Sequence, residues 1–81
     1  MKPCTYILFS ESLQQYYTGS TLDIEQRLRD HNNGLSKHTS KGRPWRIVYS
    51  VECNSKTDAL KLENKIKKRG AKRYLEDLSK T

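Results

Sequence analysis

Cysteine is scarce in this 81-residue chain, and neither Cys4 nor Cys53 has a near partner at the spacing of a zinc site. Both sit in apolar, strand-like surroundings, which predicts two buried thiols in a reducing compartment and excludes a disulfide-stapled secreted scaffold. No apolar run approaches the roughly 20 residues a membrane-spanning helix needs, and no stretch sets a basic face against a broad aromatic one. The opening Met1-Lys2-Pro3 has no apolar signal segment, so the expected location is cytoplasmic. Phosphate-cradling glycine patterns of the Walker or Rossmann kind, a serine nucleophile elbow and a Cys/His metal quartet are all missing. Acidic residues are also few: 9 Asp+Glu face 16 Lys+Arg, a net charge of +7. On so short a chain that excess makes nucleic acid the first partner to consider.

The apolar residues that are present, 33% of the total, fall into periodic runs, enough for a single small core. Residues 4 to 9, "CTYILF", read as a strand buried on both faces, joined by the short polar "SESLQ" to a second strand ending at Tyr16–Gly19. Ser20 with Asp23 resembles a capping box and predicts a helix over about Thr21 to Asn32, stopped by "NNG", with Ile24, Leu28 and Leu35 on its inward stripe. Residues 35 to 44 have no period and read as a loop. Trp45 to Cys53 alternate as a half-buried third strand, with Trp45, Ile47, Tyr49, Val51 and Cys53 on one face. Ser55 with Asp58 starts a second helix whose inner face is Ala59, Leu62 and Ile66. Gly70 closes it after the basic Lys67-Lys68-Arg69 run, and Ala71, Tyr74, Leu75 and Leu78 mark a short third helix. The expected fold is α+β, a small three-stranded antiparallel sheet flanked by helices in the order ββαβαα, in one domain.

Several polar residues stand where core residues belong. Arg27 and His31, four apart, lie along one edge of the first helix's inward stripe and can reach a shared cleft, although a solvated arginine and a last-turn histidine are the ordinary alternative for each. Glu63 adjoins the stripe of the second helix that must face the sheet. It either pairs with Lys67 at i, i+4 or serves as the single carboxylate that suits Mg²⁺, a cation that keeps most of its waters. Tyr6 sits in an otherwise apolar strand and Tyr17 beside Gly19 at a strand-to-helix junction; packing is the usual role of a strand tyrosine. Against it stands the neighbourhood, since Gly19 lets backbone or ligand approach closely and a helix N-terminus predicted at Ser20 and Thr21 favours phosphate. Tyr16 points away from Tyr17 and reads as the packing partner of the two. The loop side chains Lys37, His38, Thr39, Ser40, Lys41 and Arg43 add donors for phosphate oxygens, as a solvated loop of this composition also would.

Set in order, these residues resemble a minimal GIY-YIG nuclease domain over nearly the whole chain. "CTY" at 4 to 6 stands for the first motif and "YTG" at 17 to 19 for the second; "RLRDH" carries Arg27 and His31, and "ALKLE" places Glu63 on the next helix. "GLSKHTSKGRPWRIVY" is similar to the corresponding stretch of the short stand-alone members. Cys4, Thr5 and Thr18 depart from the motif residues, and the sequence assigns no counterpart to a late asparagine that some members use. The resemblance implies hydrolysis of a DNA phosphodiester dependent on Mg²⁺ (or Mn²⁺), in a setting such as DNA repair or recombination, with specificity from DNA shape or a protein partner. Within it, Glu63 holds the metal ion and Tyr6 acts as general base with a pKa lowered by nearby cations. Arg27 clamps the scissile phosphate, Tyr17 and His31 hydrogen-bond water, phosphate or Tyr6, and Gly19, Ser20 and the loop residues contact substrate. Two other readings compete: a catalytically inactive basic nucleic-acid-binding module, and an interaction domain with Trp45 and Tyr49 exposed at a sheet edge.

Overall fold

The computed structural model describes residues 2–35 and 39–80. Its elements are β1 (Cys4–Ser10), β2 (Gln15–Thr21), α1 (Ile24–Asn32), a 3₁₀ turn (Ser40–Gly42), β3 (Trp45–Glu52), α2 (Lys56–Arg69) and α3 (Ala71–Ser79). The strands form one antiparallel sheet in the order β2-β1-β3. The central strand β1 is the most apolar and is buried along nearly its full length, as a strand flanked on both edges and covered on both faces must be.

Strand alternation sends successive residues to opposite faces, so β1 supplies two separate layers. Thr5 points toward α2, where its hydroxyl donates to the Ala59 carbonyl at 2.8 Å. Tyr6 and Leu8 point toward α1 and form a buried cluster with Trp45, against which Tyr17, Ile24 and Leu28 pack. Ile66 is fully buried and Ala59 nearly so, which makes them the inward anchors of α2.

Five sequence expectations change in the folded chain. Ser20 does not cap α1: β2 continues through Thr21, which pairs with Cys4, and the cap is Asp23, whose carboxylate accepts from the Gln26 amide at 3.1 Å. The sequence holds two overlapping cap signals, Ser20-x-x-Asp23 and Asp23-x-x-Gln26, and strand pairing selects the second. Leu35 lies beyond the helix and is 73% exposed. β3 does not keep one alternation, because Ile7 pairs with Tyr49 while Leu8 pairs with Ile47. Val48 is the extra residue of a β-bulge, which puts Trp45 and Ile47 in phase with the α1 face and Tyr49 and Val51 with the other. Finally, Trp45 is buried rather than exposed at an edge, and Tyr49 is half-buried against Tyr74 of α3. Cys4 is buried and Cys53 only partly so; both are free.

The second helix follows its sequence signals. The Ser55 hydroxyl accepts from the Asp58 amide at 3.1 Å, and Gly70 ends the helix at φ 92°, a left-handed value that disfavours any side chain. Among the described residues no helix is long and apolar enough to cross a membrane.

Candidate active site

Tyr6, on the central strand, is 2% exposed, and its phenol oxygen lies 3.2 Å from Nε2 of His31 in the last turn of α1. The approach depends on Gly19, the cross-strand partner of Tyr6. A Cβ at Gly19 would fall 2.6 Å from the Tyr6 oxygen and 3.2 Å from the Tyr17 ring, so only glycine leaves both phenols in place. Tyr17 meets His31 edge-on, with ring centroids 4.9 Å apart, and lies 6.4 Å from Tyr6. Tyr16 turns to the opposite side and packs on Phe9.

On its far side His31 is held by the loop that leads into β3. Its Nδ1 lies 2.6 Å from the Thr39 hydroxyl, and the Trp45 indole N–H donates to the Thr39 carbonyl at 2.6 Å. Asn32, next to His31, brackets the Trp45 backbone: the Trp45 amide donates to Asn32 Oδ1, and Asn32 Nδ2 donates to the Trp45 carbonyl. Gly42 lets the loop lie flat against the Trp45 ring, whose edge takes the space a Cβ would need. Thr39, expected among the phosphate donors, is fully buried and faces histidine instead of solvent. Ser36, Lys37 and His38 lie outside the described residues. Lys41 and Arg43 are exposed on the outer side of the loop beside Asn32 and are not drawn into the tyrosine cluster.

Burial pushes the Tyr6 phenol well above its ordinary value; Tyr17 adds to the rise, and the nearby Arg27 guanidinium opposes it without prevailing. This corrects the expectation of a cation-lowered phenol, because the cost of burying a phenolate outweighs one exposed guanidinium. His31 moves the other way, held below its usual range by burial and then by Arg27. The resting pair is therefore a neutral phenol beside a neutral imidazole.

Glu63 stands on α2, with its side chain 15% exposed at the edge of β2. Ser20 donates to its Oε1 at 2.8 Å, and Lys67 places an ammonium 2.7 Å from Oε2. The sequence placed Ser20 near substrate; the folded chain gives its hydroxyl to this carboxylate. Its partner Ser20 lines a cleft of about 360 Å³ together with Arg27 and Lys56 among others. Its other partner, Lys67, lines a wider groove with Tyr17 and Lys72. Among the described residues no three His, Cys, Asp or Glu side chains converge on one point. A lone, partly exposed carboxylate with a hydroxyl beside it does not fit a closed zinc site, but it fits a hard cation that keeps water and takes further oxygens from a phosphate. Glu63 is the residue that would hold it.

Tyr6, Tyr17 and His31 thus form one cluster with Gly19 against both phenols, and Arg27 and Glu63 lie near enough to act on the Tyr6 phenol electrostatically. The chain belongs to the GIY-YIG family: the family model, described as the GIY-YIG catalytic domain, matches residues 2–75. It is 46% identical to a UPF0213 protein of Staphylococcus saprophyticus over 63% of each chain. It is 40% identical to the structure-specific endonuclease subunit slx1 of Schizosaccharomyces pombe, over 91% of this chain and 30% of that protein. These matches span less than two thirds of the relatives' own lengths. The fold is shared with the solution structure of a UPF0213 protein from Bacillus halodurans, with a TM-score of 0.59, 29% identity, and coverage of 98% of this chain and 84% of that one.

Proposed function

We propose that this protein is a DNA endonuclease that hydrolyses phosphodiester bonds with Mg²⁺ (or Mn²⁺) held at Glu63. The observation that carries the reading is the buried contact of Tyr6 with His31, 3.2 Å long, with Gly19 leaving room for the Tyr6 phenol and Arg27 near enough to act on it electrostatically. A divalent ion held at Glu63 would supply Lewis-acid neutralisation of the charge that grows on the phosphate. The chain's own residues do the rest. The Tyr6 oxygen accepts a proton from the attacking water while its own proton passes to Nε2 of His31, so no free phenolate accumulates in the buried site. The water oxygen bonds to phosphorus as the bond to the 3′ oxygen breaks, and that oxygen leaves with a proton from solvent. Arg27, exposed at the rim, binds the phosphate and stabilises its growing charge. Tyr17 holds the edge of the imidazole and limits its rotation.

The likeness to a protein named as a structure-specific endonuclease subunit supports DNA as substrate, a role in repair or recombination, and a protein partner that supplies specificity. The +7 charge supports binding to the backbone, with Lys41 and Arg43 on the outer loop as phosphate contacts. The test is incubation with duplex, branched and single-stranded DNA in Mg²⁺, Mn²⁺ or EDTA. Metal-dependent nicks should appear and fall by about 10³-fold or more in Glu63→Gln, with DNA binding retained. Absence of cleavage on all three substrates would leave the inactive binding module as the better reading, and wild-type rates in Glu63→Gln would remove the metal role from that residue.

A further inference from the structure

The hydrogen-bond chain does not stop at His31, and its next member decides what His31 can do. Nδ1 of the imidazole lies 2.6 Å from Thr39 Oγ1 and Nε2 lies 3.2 Å from Tyr6 Oη, with all three side chains buried. A neutral imidazole carries one proton, so one of these contacts is donated by histidine and the other is accepted. The hydroxyls of Tyr6 and Thr39 both face the ring and a neutral imidazole can accept from only one of them; the relay requires that it accept from Tyr6, at Nε2. The proton of His31 then belongs on Nδ1, and the group facing it is the Thr39 hydroxyl oxygen.

We propose that Thr39 is a positioning residue for the reaction: by accepting from Nδ1–H it fixes the tautomer of His31 that leaves Nε2 free to receive the Tyr6 proton. The state of the second ring nitrogen is set by the hydrogen bond the first one makes. Thr39 is suited to this because its own place is fixed from two directions. The Trp45 indole N–H holds its carbonyl, and the Gly42 amide donates to that carbonyl at 3.1 Å. A loop that the sequence marks as a phosphate-binding surface thus has an inner side that orders the site. The wrong tautomer would point N–H at the Tyr6 oxygen and occupy the lone pair that must meet the water.

This assignment rests on the reading of Tyr6 and His31 as a proton relay, but its first test needs no DNA and no metal. Long-range ¹H–¹⁵N correlation spectra of the purified wild-type protein at pH 8, with the His31 signals identified by their loss in His31→Gln, should show the proton on Nδ1. Thr39→Val, which keeps the shape of the side chain but removes its oxygen, should move the proton to Nε2 and lower kcat by about 10–100-fold with KM little changed. Thr39→Ser should restore both tautomer and rate. A wild-type His31 protonated on Nε2 would overturn the proposal without recourse to any variant, and so would a Thr39→Val protein that keeps the proton on Nδ1. If the tautomer behaves as expected and no DNA is cut, the nuclease reading fails while the control of the His31 tautomer by Thr39 stands.

Discussion

Each face of the sheet carries a tyrosine pair, and the two pairs differ in what stands beside them. Tyr6 and Tyr17 lie on the α1 face with their rings 6.4 Å apart; Tyr49 and Tyr74 lie on the other with their rings 5.6 Å apart and their hydroxyls at 3.3 Å. Burial raises the pKa of one phenol in each pair, Tyr6 strongly and Tyr49 to about 12. Neither Tyr6 nor Tyr49 gains reactivity from a lowered pKa. What separates them is the acceptor: Tyr6 has an imidazole nitrogen to receive its proton, whereas Tyr49 has another phenol, a far weaker base. In this chain a tyrosine becomes a candidate for chemistry through its neighbour, while burial alone produces packing.

The comparison breaks most directly at the two hydroxyls themselves. Tyr6→Phe should lower DNA cleavage by about 10²–10⁴-fold, the range for loss of a general base, whereas Tyr49→Phe should leave cleavage within a few-fold of wild type. Single-turnover rates with urea melts of both variants measure this, and equal losses in the two would mean that the phenols serve the fold alike.

A smaller effect sharpens the role of the imidazole. His31 must be neutral to accept a proton, and burial holds its pKa below the ordinary value near 6.5. Cleavage should therefore stay level above about pH 6.5 as far as His31 is concerned and fall as the pH drops toward the lowered folded value. Stability follows the same sign. Between the folded and unfolded pKa values the unfolded chain binds more protons, so His31's contribution is full above about pH 6.5 and is lost as the pH falls through the folded pKa. Denaturant midpoints across pH 4–8 for wild type and His31→Gln should show the wild type losing its own share of stability on the acid side. A rate that rises as His31 becomes charged would contradict the relay.

The smallest expected effect concerns the carboxylate. Lys67, 54% exposed on its side chain, sits against the Glu63 oxygen a metal ion would need. Exposed ion pairs are worth about 0.2–1 kcal/mol, so Lys67→Gln should lower the Mn²⁺ concentration for half-saturation by at most about 5-fold. Water-proton relaxation in Mn²⁺ titrations reads this directly. A rise in the concentration needed would mean that Lys67 assists metal binding instead of competing with it.

Legibility in the sequence followed the range of the interaction. The hairpin, the Ser55 cap, the Gly70 stop and the pairing of Glu63 with Lys67 are local, and each was readable from residues within about one turn of one another. The α1 cap is not legible locally because two signals overlap, and only the pairing of Thr21 with Cys4 across the sheet decides between them. The direction of Thr39 was unreadable for the same reason. Its hydroxyl and carbonyl answer to His31 and Trp45, and a polar loop shows nothing of that in its composition. The rise in the Tyr6 pKa likewise depends on how completely three elements close over one phenol.

The bulge at Val48 has a consequence for how relatives of this chain should be compared. It shifts β3 by one step, so residues 45 and 47 keep time with His31 and Thr39 while residues 49 and 51 keep time with α2 and α3. Substitution patterns should divide at that point: position 45 should change together with 31 and 39, and position 49 with 74. An alignment that carries one alternation through the strand would assign Tyr49 to the wrong partners, whereas deletion of Val48 would keep the cross-strand pairs and leave both aromatic residues on their present faces.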